Sequence, residues 1–386
     1  MNIGTKKRIL HVIPALPTGG AETMLLKLME NVDQSIWDVA VLSLRDKGTI
    51  GPHIEKLGIP VHTLNMRPGI PRLYDLVKLV ISARNLKTDI LQGWMYHGNV
   101  AATMLRHLMM GNVPVVWNVR HCLYDLSHEK NNTARLIKAT ARLPFRPHSI
   151  IYNSRLSAMQ HEAIGYSPTL RSVIPNGFDC QRFSPSLEAR NRYRHEMGLD
   201  SQSQIVGMVA RYHPIKGHAN FLEAAARVSS ENNTAHFVMI GKGVDSENQL
   251  LAKMVSDLGL SKRVHMLGER SDTPALTSAF DVAVSASESE GFSNTIGEAM
   301  ACGVPCVVTN AGDSAWLVGD TGKVVPRNDP HVLGEALKTM LAMGDKQRQE
   351  LGKAARQRIL DEYTIEKISR QYMHVYHSLF DGKETF

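Results

Sequence analysis

Short apolar runs alternate along this chain with longer stretches in which apolar residues recur at helical spacing, the pattern of parallel strands joined by helical crossovers. In the first half, Ile9–Ile13, Trp37–Leu42, Val61–Leu64, Ile90–Leu91, Val113–Val119 and Ser149–Tyr152 predict strands. Between them, Ala21–Asn31 places Met24, Leu25 and Leu28 on one helical face. Residues Pro175–Pro185, rich in Pro, Gly and Asp and poor in periodicity, predict a linker. A second series follows: a strand at Ile205–Val209, a helix at Gly217–Val228, a strand at His236–Ile240, a helix around Glu247–Leu258 and a strand near Val264–Leu267. After Leu276–Ala279 come strands at Val282–Ser285 and Cys306–Thr309 and a short run at Val324–Val325, with helices beyond. Two α/β domains with parallel sheets result, and ligands of such sheets bind at the carboxyl ends of the strands.

A length of 386 residues suits two domains with cores of their own. No apolar run reaches the roughly 20 residues that span a bilayer. The start, Thr5–Pro14, has the outline of a signal peptide. Its apolar part is short, holds His11 and Pro14, and leads into Gly19-Gly20-Ala21-Glu22, so it reads as a first strand of a cytoplasmic protein. Four scattered cysteines, Cys122, Cys180, Cys302 and Cys306, form no Cys-x-x-Cys pair and indicate neither a disulfide framework nor a zinc site. Through residue 175 there are 21 Lys+Arg against 11 Asp+Glu, net +10; beyond it 23 face 26, net −3. One half therefore suits an anionic surface or ligand.

Chemistry concentrates between Glu288 and Val308, where Glu290 and Glu298 stand eight positions apart across Gly291 at the start of an expected helix. Unpaired N–H groups and the dipole of a helix start bind phosphate, and carboxylates accept hydrogen bonds from ligand hydroxyls. The competing reading is a capping box, Thr295-Ile-Gly-Glu298, that only closes the helix start. Arg211 and Lys216, in Gly207-Met-Val-Ala-Arg211-Tyr-His-Pro-Ile-Lys216-Gly217, follow a strand; the alternative for Arg211 is an ordinary surface ion pair. His97 in Trp94-Met-Tyr-His-Gly98 and His121 in Asn118-Val-Arg-His-Cys122 also follow strands, where a neutral histidine can donate to or accept from a substrate hydroxyl; the alternative is an ordinary polar histidine, of which the chain has 17.

Taken together and in order, Gly19-Gly20-Ala21-Glu22, Ile174-Pro-Asn176-Gly177-Phe-Asp179, Gly207–Gly217 and Glu290-x7-Glu298 resemble retaining glycosyltransferase family 4. The resemblance covers nearly the whole chain and is strongest from about 174 to 310. It implies the GT-B fold, two Rossmann-like parallel-sheet domains facing across a cleft. An acceptor domain would span residues 1–173 and a donor-nucleotide domain residues 174–365, with a terminal helix, 366–386, packed back on the first. It implies that Arg211 and Lys216 stabilise the leaving diphosphate and that Glu290 contacts the donor sugar. Gly291, Phe292, Ser293, Asn294 and Thr295 would line the sugar and phosphate, Glu298 the ribose hydroxyls and Gly243 the nucleobase. Gly19 and Gly20 would let the first domain approach the donor, and His97, more than His121, would touch donor sugar or acceptor. Gly98-Asn99 stands where many relatives have an acidic residue and proline.

The implied reaction moves a sugar from a nucleoside diphosphate, UDP first and GDP-mannose open, to a glycan or lipid-linked hydroxyl in envelope polysaccharide or lipopolysaccharide assembly. Configuration is retained through an oxocarbenium-like transition state. No Asp-x-Asp occurs, which fits a metal-independent reaction, and the resemblance implies no cofactor besides the nucleotide-sugar substrate. The basic, apolar segment Lys130–His148, with Arg135, Lys138, Arg142 and Arg146 beside Leu136, Ile137, Leu143 and Phe145, suits either an anionic membrane on the inner face or a solvated helix on the sheet. A sugar-nucleotide epimerase of similar fold is the rival enzyme, although its acid/base set is not recognisable. A non-catalytic nucleotide-sugar binder or nucleic-acid module is the other alternative; no finger or basic aromatic motif supports nucleic acid.

Overall fold

The computed structural model describes residues 6–67, 73–108, 113–123, 131–142 and 146–380. The chain divides into two compact units, Met1–Gly177 with Ile365–Phe386, and Phe178–Thr364.

The first unit is built on seven parallel strands: β1 (Lys7–Ile13), β2 (Trp37–Ser43), β3 (Val61–Thr63), β4 (Ile90–Trp94), β5 (Val115–Val119), β6 (Ser149–Tyr152) and β7 (Arg171–Val173). Their order is β3-β2-β1-β4-β5-β6-β7. Central strands read as unbroken apolar runs because helices cover both faces. Alternation along β1 sends Ile9 and Ile13 to one face and Leu10 and Val12 to the other. The first face packs on helices Gly20–Glu30, Gly51–Lys56 and Ile365–Ser378; the second on Leu73–Asn85, Met95–Leu108 and Asn131–Arg142. The terminal helix buries Ile365, Ile368, Tyr372, Val375 and Tyr376 in the first cluster. Its phenols meet the few polar groups of the sheet: Tyr372 Oη accepts from Asn118 Nδ2 at 2.9 Å and Tyr376 Oη donates to Gln92 Oε1.

The second unit holds β8 (Gln204–Val209), β9 (Ala235–Ile240), β10 (Val264–Met266), β11 (Val282–Ser285), β12 (Cys306–Thr309) and β13 (Gly322–Val325), all parallel, in the order β10-β9-β8-β11-β12-β13. In both units the strand order reverses once, between β1 and β4 and between β8 and β11. Loops leaving neighbouring strands there diverge and open a crevice at the carboxyl edge.

The expected linker is ordered and partly core. Ile174, Phe178 and Phe183 are buried, Phe178 N–H donates to the Tyr363 carbonyl at 2.9 Å, and Asp179 Oδ1 accepts from the N–H groups of Gln181 and Arg182. Its Pro, Gly and Asp shape a packed turn instead of a loose tether. In the segment Lys130–His148, the helix Asn131–Arg142 buries Ile137 and Thr140 and turns Arg135, Lys138 and Arg142 outward. Lys130, Leu143 and Phe145 lie outside the described residues. No described helix is long and apolar enough to cross a membrane.

Candidate functional site

At the second unit's reversal point, the loop after β8 carries Arg211 and Lys216 and the loop after β11 carries Glu290. Lys216 Nζ lies 2.6 Å from Glu290 Oε1, and Ser287 Oγ donates to the same oxygen at 2.7 Å. Side-chain exposures of 21% and 13% put this pair between a surface bridge and a buried one, so it is both screened little and still reachable. Arg211 is exposed and makes no ion pair or side-chain hydrogen bond among the described residues.

Backbone contacts fix the acidic loop from three sides. Glu288 N–H donates to the Ile215 carbonyl at 2.9 Å, tying it to the β8 loop, and Asp313 N–H donates to the Gly291 carbonyl at 3.0 Å, tying it to the β12 loop. From beyond β13, Arg327 Nη1 reaches the Glu288 carbonyl at 3.2 Å. Two glycines make these approaches feasible. Gly217 (φ +69°) lies so close to Ala286 that a Cβ would stand 2.0 Å from its carbonyl oxygen, and on Gly312 (φ +58°) a Cβ would stand 2.2 Å from that of Glu290. Both are left-handed, a conformation that glycine adopts without penalty.

The helix Asn294–Ala301 opens at Ser293, whose extended backbone caps it without a side-chain bond. Thr295 is already inside the helix, so the capping-box alternative fails; Glu298 sits one turn in. Phe178 holds the helix in place: its ring fills the space where a Cβ on Gly297 would sit, 2.0 Å away, and it stacks on Phe292 at 6.2 Å. The helix starts in the loop after β11, four residues beyond Glu290, and an anion at its first-turn N–H groups would gain from the helix dipole. After β9, Gly243 (φ +72°) accepts from Asn248 Nδ2 at 2.7 Å and lies against Tyr212. His218, the first residue of the helix after Gly217, is buried; desolvation lowers its pKa to about 4, so it is neutral.

The remaining expected residues belong to the first unit and flank its own reversal point. Gly19, extended, caps the helix Gly20–Glu30 after β1. His97 lies in the first turn of Met95–Leu108 after β4, at the surface, with its pKa lowered by desolvation. Gly98 and Asn99 serve packing: a Cβ on Gly98 would stand 2.4 Å from the Val12 carbonyl, and Asn99 Oδ1 accepts from Asn118 N–H at 3.2 Å. After β5, the partly buried Arg120 donates to Tyr372 Oη at 3.0 Å and to Asn176 Oδ1, with Glu22 adding electrostatic support. His121 Nδ1 lies 3.3 Å from Tyr96 Oη, which is 2.8 Å from His161 Nε2.

Arg327, Tyr96 and His161 went unnoticed in the sequence. Arg327 does follow the run Val324-Val325, the same placement after a strand that marked Arg211; the other two carry no local signal.

The family described as Glycosyltransferase Family 4 matches residues 18–182, and that described as Glycosyl transferases group 1 matches residues 203–343. An Escherichia coli protein, UDP-Gal:alpha-D-GlcNAc-diphosphoundecaprenol alpha-1,3-galactosyltransferase, is 34% identical over 313 residues, 76% of this chain and 75% of that protein. The lipopolysaccharide core biosynthesis mannosyltransferase LpsB of Rhizobium meliloti (strain 1021) is 28% identical over 222 residues, 55% of this chain and 62% of that protein. Among solved structures, Anabaena Alr3699/HepE in complex with UDP superposes with a TM-score of 0.84 at 24% identity, covering 96% of this chain and 100% of that one.

Proposed function

The chain belongs to glycosyltransferase family 4, with the GT-B fold, and on that basis we propose that it transfers a sugar, with retention, from a UDP-sugar to a hydroxyl of a glycan or lipid-linked glycan in cell-envelope polysaccharide assembly. The observation that carries this reading is the Lys216–Glu290 pair beside the start of the helix Asn294–Ala301, at the reversal point of the second unit's sheet. Lys216 and Arg211 offset the charge of the leaving diphosphate, in place of a divalent ion. The turn Gly291–Thr295 holds the phosphate and sugar, Glu298 the ribose hydroxyls, Gly243 the base, and Glu290 the transferred sugar. On the first unit, Gly19 and Gly20 are assigned to close approach of the backbone to the donor, and His97 to contact with donor sugar or acceptor. The E. coli relative supports a UDP-sugar donor and a lipid-linked acceptor, since its name specifies both; the UDP complex of HepE agrees on the nucleotide.

A lipid-linked acceptor requires a route to a membrane, and we place the protein in the cytoplasm, peripheral to the inner leaflet. Helices Met95–Leu108 and Asn131–Arg142 carry no Asp or Glu. Arg135, Lys138 and Arg142 face outward, and on the same side of the sheet Tyr74, Val77 and Ile81 are 65%, 48% and 54% exposed. Cations beside an exposed apolar stripe suit an anionic lipid surface.

Calorimetric titration of the purified protein with UDP-, GDP- and ADP-sugars, with and without EDTA, tests the donor site. One UDP-sugar is expected to bind regardless of EDTA, with binding lost in Arg211→Ala and Glu298→Ala. Binding that survives both substitutions, or that needs the metal, would overturn the assignment. The anomeric configuration of the product, read by NMR, decides retention.

A further inference from the structure

At the amino edge of the second unit's sheet, opposite the edge that carries Lys216 and Glu290, lies a cavity of about 440 Å³, a size that takes a small molecule. Asp281 and Pro305, each just ahead of a strand, belong to its lining. Three arginines line it as well: Arg190 and Arg194 from the helix Leu187–Glu196, and Arg348 from the helix Asp345–Glu362. Arg194 and Arg348 are more than nine-tenths buried, with side-chain exposures of 8% and 7%. One buried carboxylate opposes them. Asp281, also 8% exposed, accepts from Arg190 Nη2 at 2.5 Å, Arg194 Nη1 at 3.2 Å and the Ile205 N–H at 2.7 Å. The other carboxylate of the lining, Asp345, pairs with Arg348 but is 83% exposed, so water screens it. Arg348 otherwise donates to the carbonyls of Leu341 and Met343, and Arg194 to those of Ala279 and Ser203. Carbonyls satisfy the hydrogen bonds without cancelling the charge. Three guanidinium groups thus share one buried carboxylate, and the wall keeps an excess of close to two positive charges. Buried charge is stable only when it is paired, so the wall favours an anion.

Arg190 is the donor within reach, its side chain being 30% exposed. Nη1 serves the carbonyls of Ala279 and Phe280 and Nη2 serves Asp281, so two of a guanidinium's five N–H groups remain for a ligand. Elsewhere the lining is mixed: Leu187, Phe280, Val304 and Pro305 are apolar, while Asn191 and Gln349 offer exposed amides. We propose that this cavity is a second ligand site, which takes a phosphate monoester on a body of about sugar size. Such an ester carries a charge of about −1.5 to −2 at pH 7 and matches the excess on the wall, where a lone carboxylate matches half of it. The arginine fork binds its oxygens in pairs, and amide and apolar walls suit a body that shows both hydroxyl and C–H faces. The site is separate from the loops that carry Lys216 and Glu290 and does not rest on the glycosyltransferase reading.

The test is calorimetric titration of the full chain with glucose 6-phosphate and glycerol 3-phosphate, beside glucose and gluconate as uncharged and carboxylate counterparts, at about pH 7.5, where the esters are mostly dianions. Both esters are expected to bind with Kd below about 1 mM, and glucose and gluconate at least about tenfold more weakly, the difference made by one hydrogen bond to a charged group. Arg190→Gln should weaken the esters by the same factor. Asn191→Asp combined with Gln349→Glu alters exposed lining residues only, so the fold survives, and the two added carboxylates should weaken the esters at least as much. Arg211→Ala should leave them bound as in wild type, because a phosphate held on the loop after β8 would be lost there. Absence of ester binding, glucose bound as tightly as its phosphate, affinity unchanged in the variant carrying Asn191→Asp and Gln349→Glu, or binding lost in Arg211→Ala would each overturn the proposal. Should Arg190→Gln fold poorly, the pair of surface substitutions decides.

Discussion

Replacing Gly217 with alanine should damage both the stability of the second unit and its grip on a nucleotide. Two costs add. A left-handed L-residue costs roughly 1–2 kcal/mol, and φ at Gly217 is +69°. The new Cβ would also stand 2.0 Å from the Ala286 carbonyl oxygen, with backbone on both sides. Carbon and carbonyl oxygen ordinarily approach no closer than about 3.3 Å, so one loop must move by about 1 Å or more. Forced overpacking of that kind costs about 1–3 kcal/mol, for a total of about 2–5 kcal/mol. Gly198→Ala isolates the first cost: it has nearly the same angle, +68°, in the same unit, with nothing within 4 Å of the added carbon. Urea unfolding measures both variants, the second unit's transition being identified through Trp316, its one tryptophan. Because Lys216 adjoins Gly217, Gly217→Ala should also weaken binding of the UDP-sugar at least tenfold while Gly198→Ala leaves it unchanged. Equal destabilisation in the two variants, with equal affinity, would refute the argument that the β8 and β11 loops are locked in contact here.

Two further predictions concern charge. In a double-mutant cycle on stability, Lys216→Met and Glu290→Gln should show a coupling of about 1–3 kcal/mol, intermediate between exposed and buried pairs; a coupling below about 0.5 kcal/mol would reduce the bridge to decoration. Acid should weaken the first unit early: burial lowers His11 to about 3 and His161 to about 4, against 6.5 for an unburied ring. Above pH 6.5 both rings are neutral folded or unfolded and stability is complete. As the pH falls below that, only the unfolded chain takes up the protons, and stability declines until about pH 4 and then 3 is passed. Both rings together give a slope of about 2.7 kcal/mol per pH unit. Urea midpoints for the first unit that stay level between pH 6.5 and 4.5 would contradict this.

How legible the molecule is in its sequence depends on how local each signal is. Buried central strands such as β1, β8 and β11 announce themselves as apolar runs because both faces of a parallel sheet are covered. The edge strand β7 (Arg171–Val173) has no such run and is partly exposed, and nothing in its residues predicts it. The helix Leu187–Glu196 buries so little apolar surface that its period is faint, although Ser186 caps it by accepting from Ala189 N–H at 3.1 Å. Glu290 and Lys216 are legible because each follows a strand, and the sheet order then brings the two loops together. The helix start is legible but its cap is not: Thr295 looks like a cap in the sequence, while the chain turns at Ser293. Tyr96, His121 and His161 acquire their relation only when β4, β5 and the helix Arg155–Ala163 are assembled, and no spacing in the sequence encodes it.

The chain leaves the first unit after Gly177 and returns at Ile365, and the returning helix supplies Tyr372 and Tyr376 to the first unit's core. During synthesis the ribosome therefore delivers β1 through β7 long before the helix that completes their packing. At about 5–20 residues per second, residues 178–364 take on the order of ten seconds or more to make, and throughout that time Arg120 and Asn118 lack the phenol they bind. The unit made second can be finished first. A nascent chain stalled before Ile365 should present a folded second unit and an unfinished first one, open to chaperones and proteases until its last helix arrives.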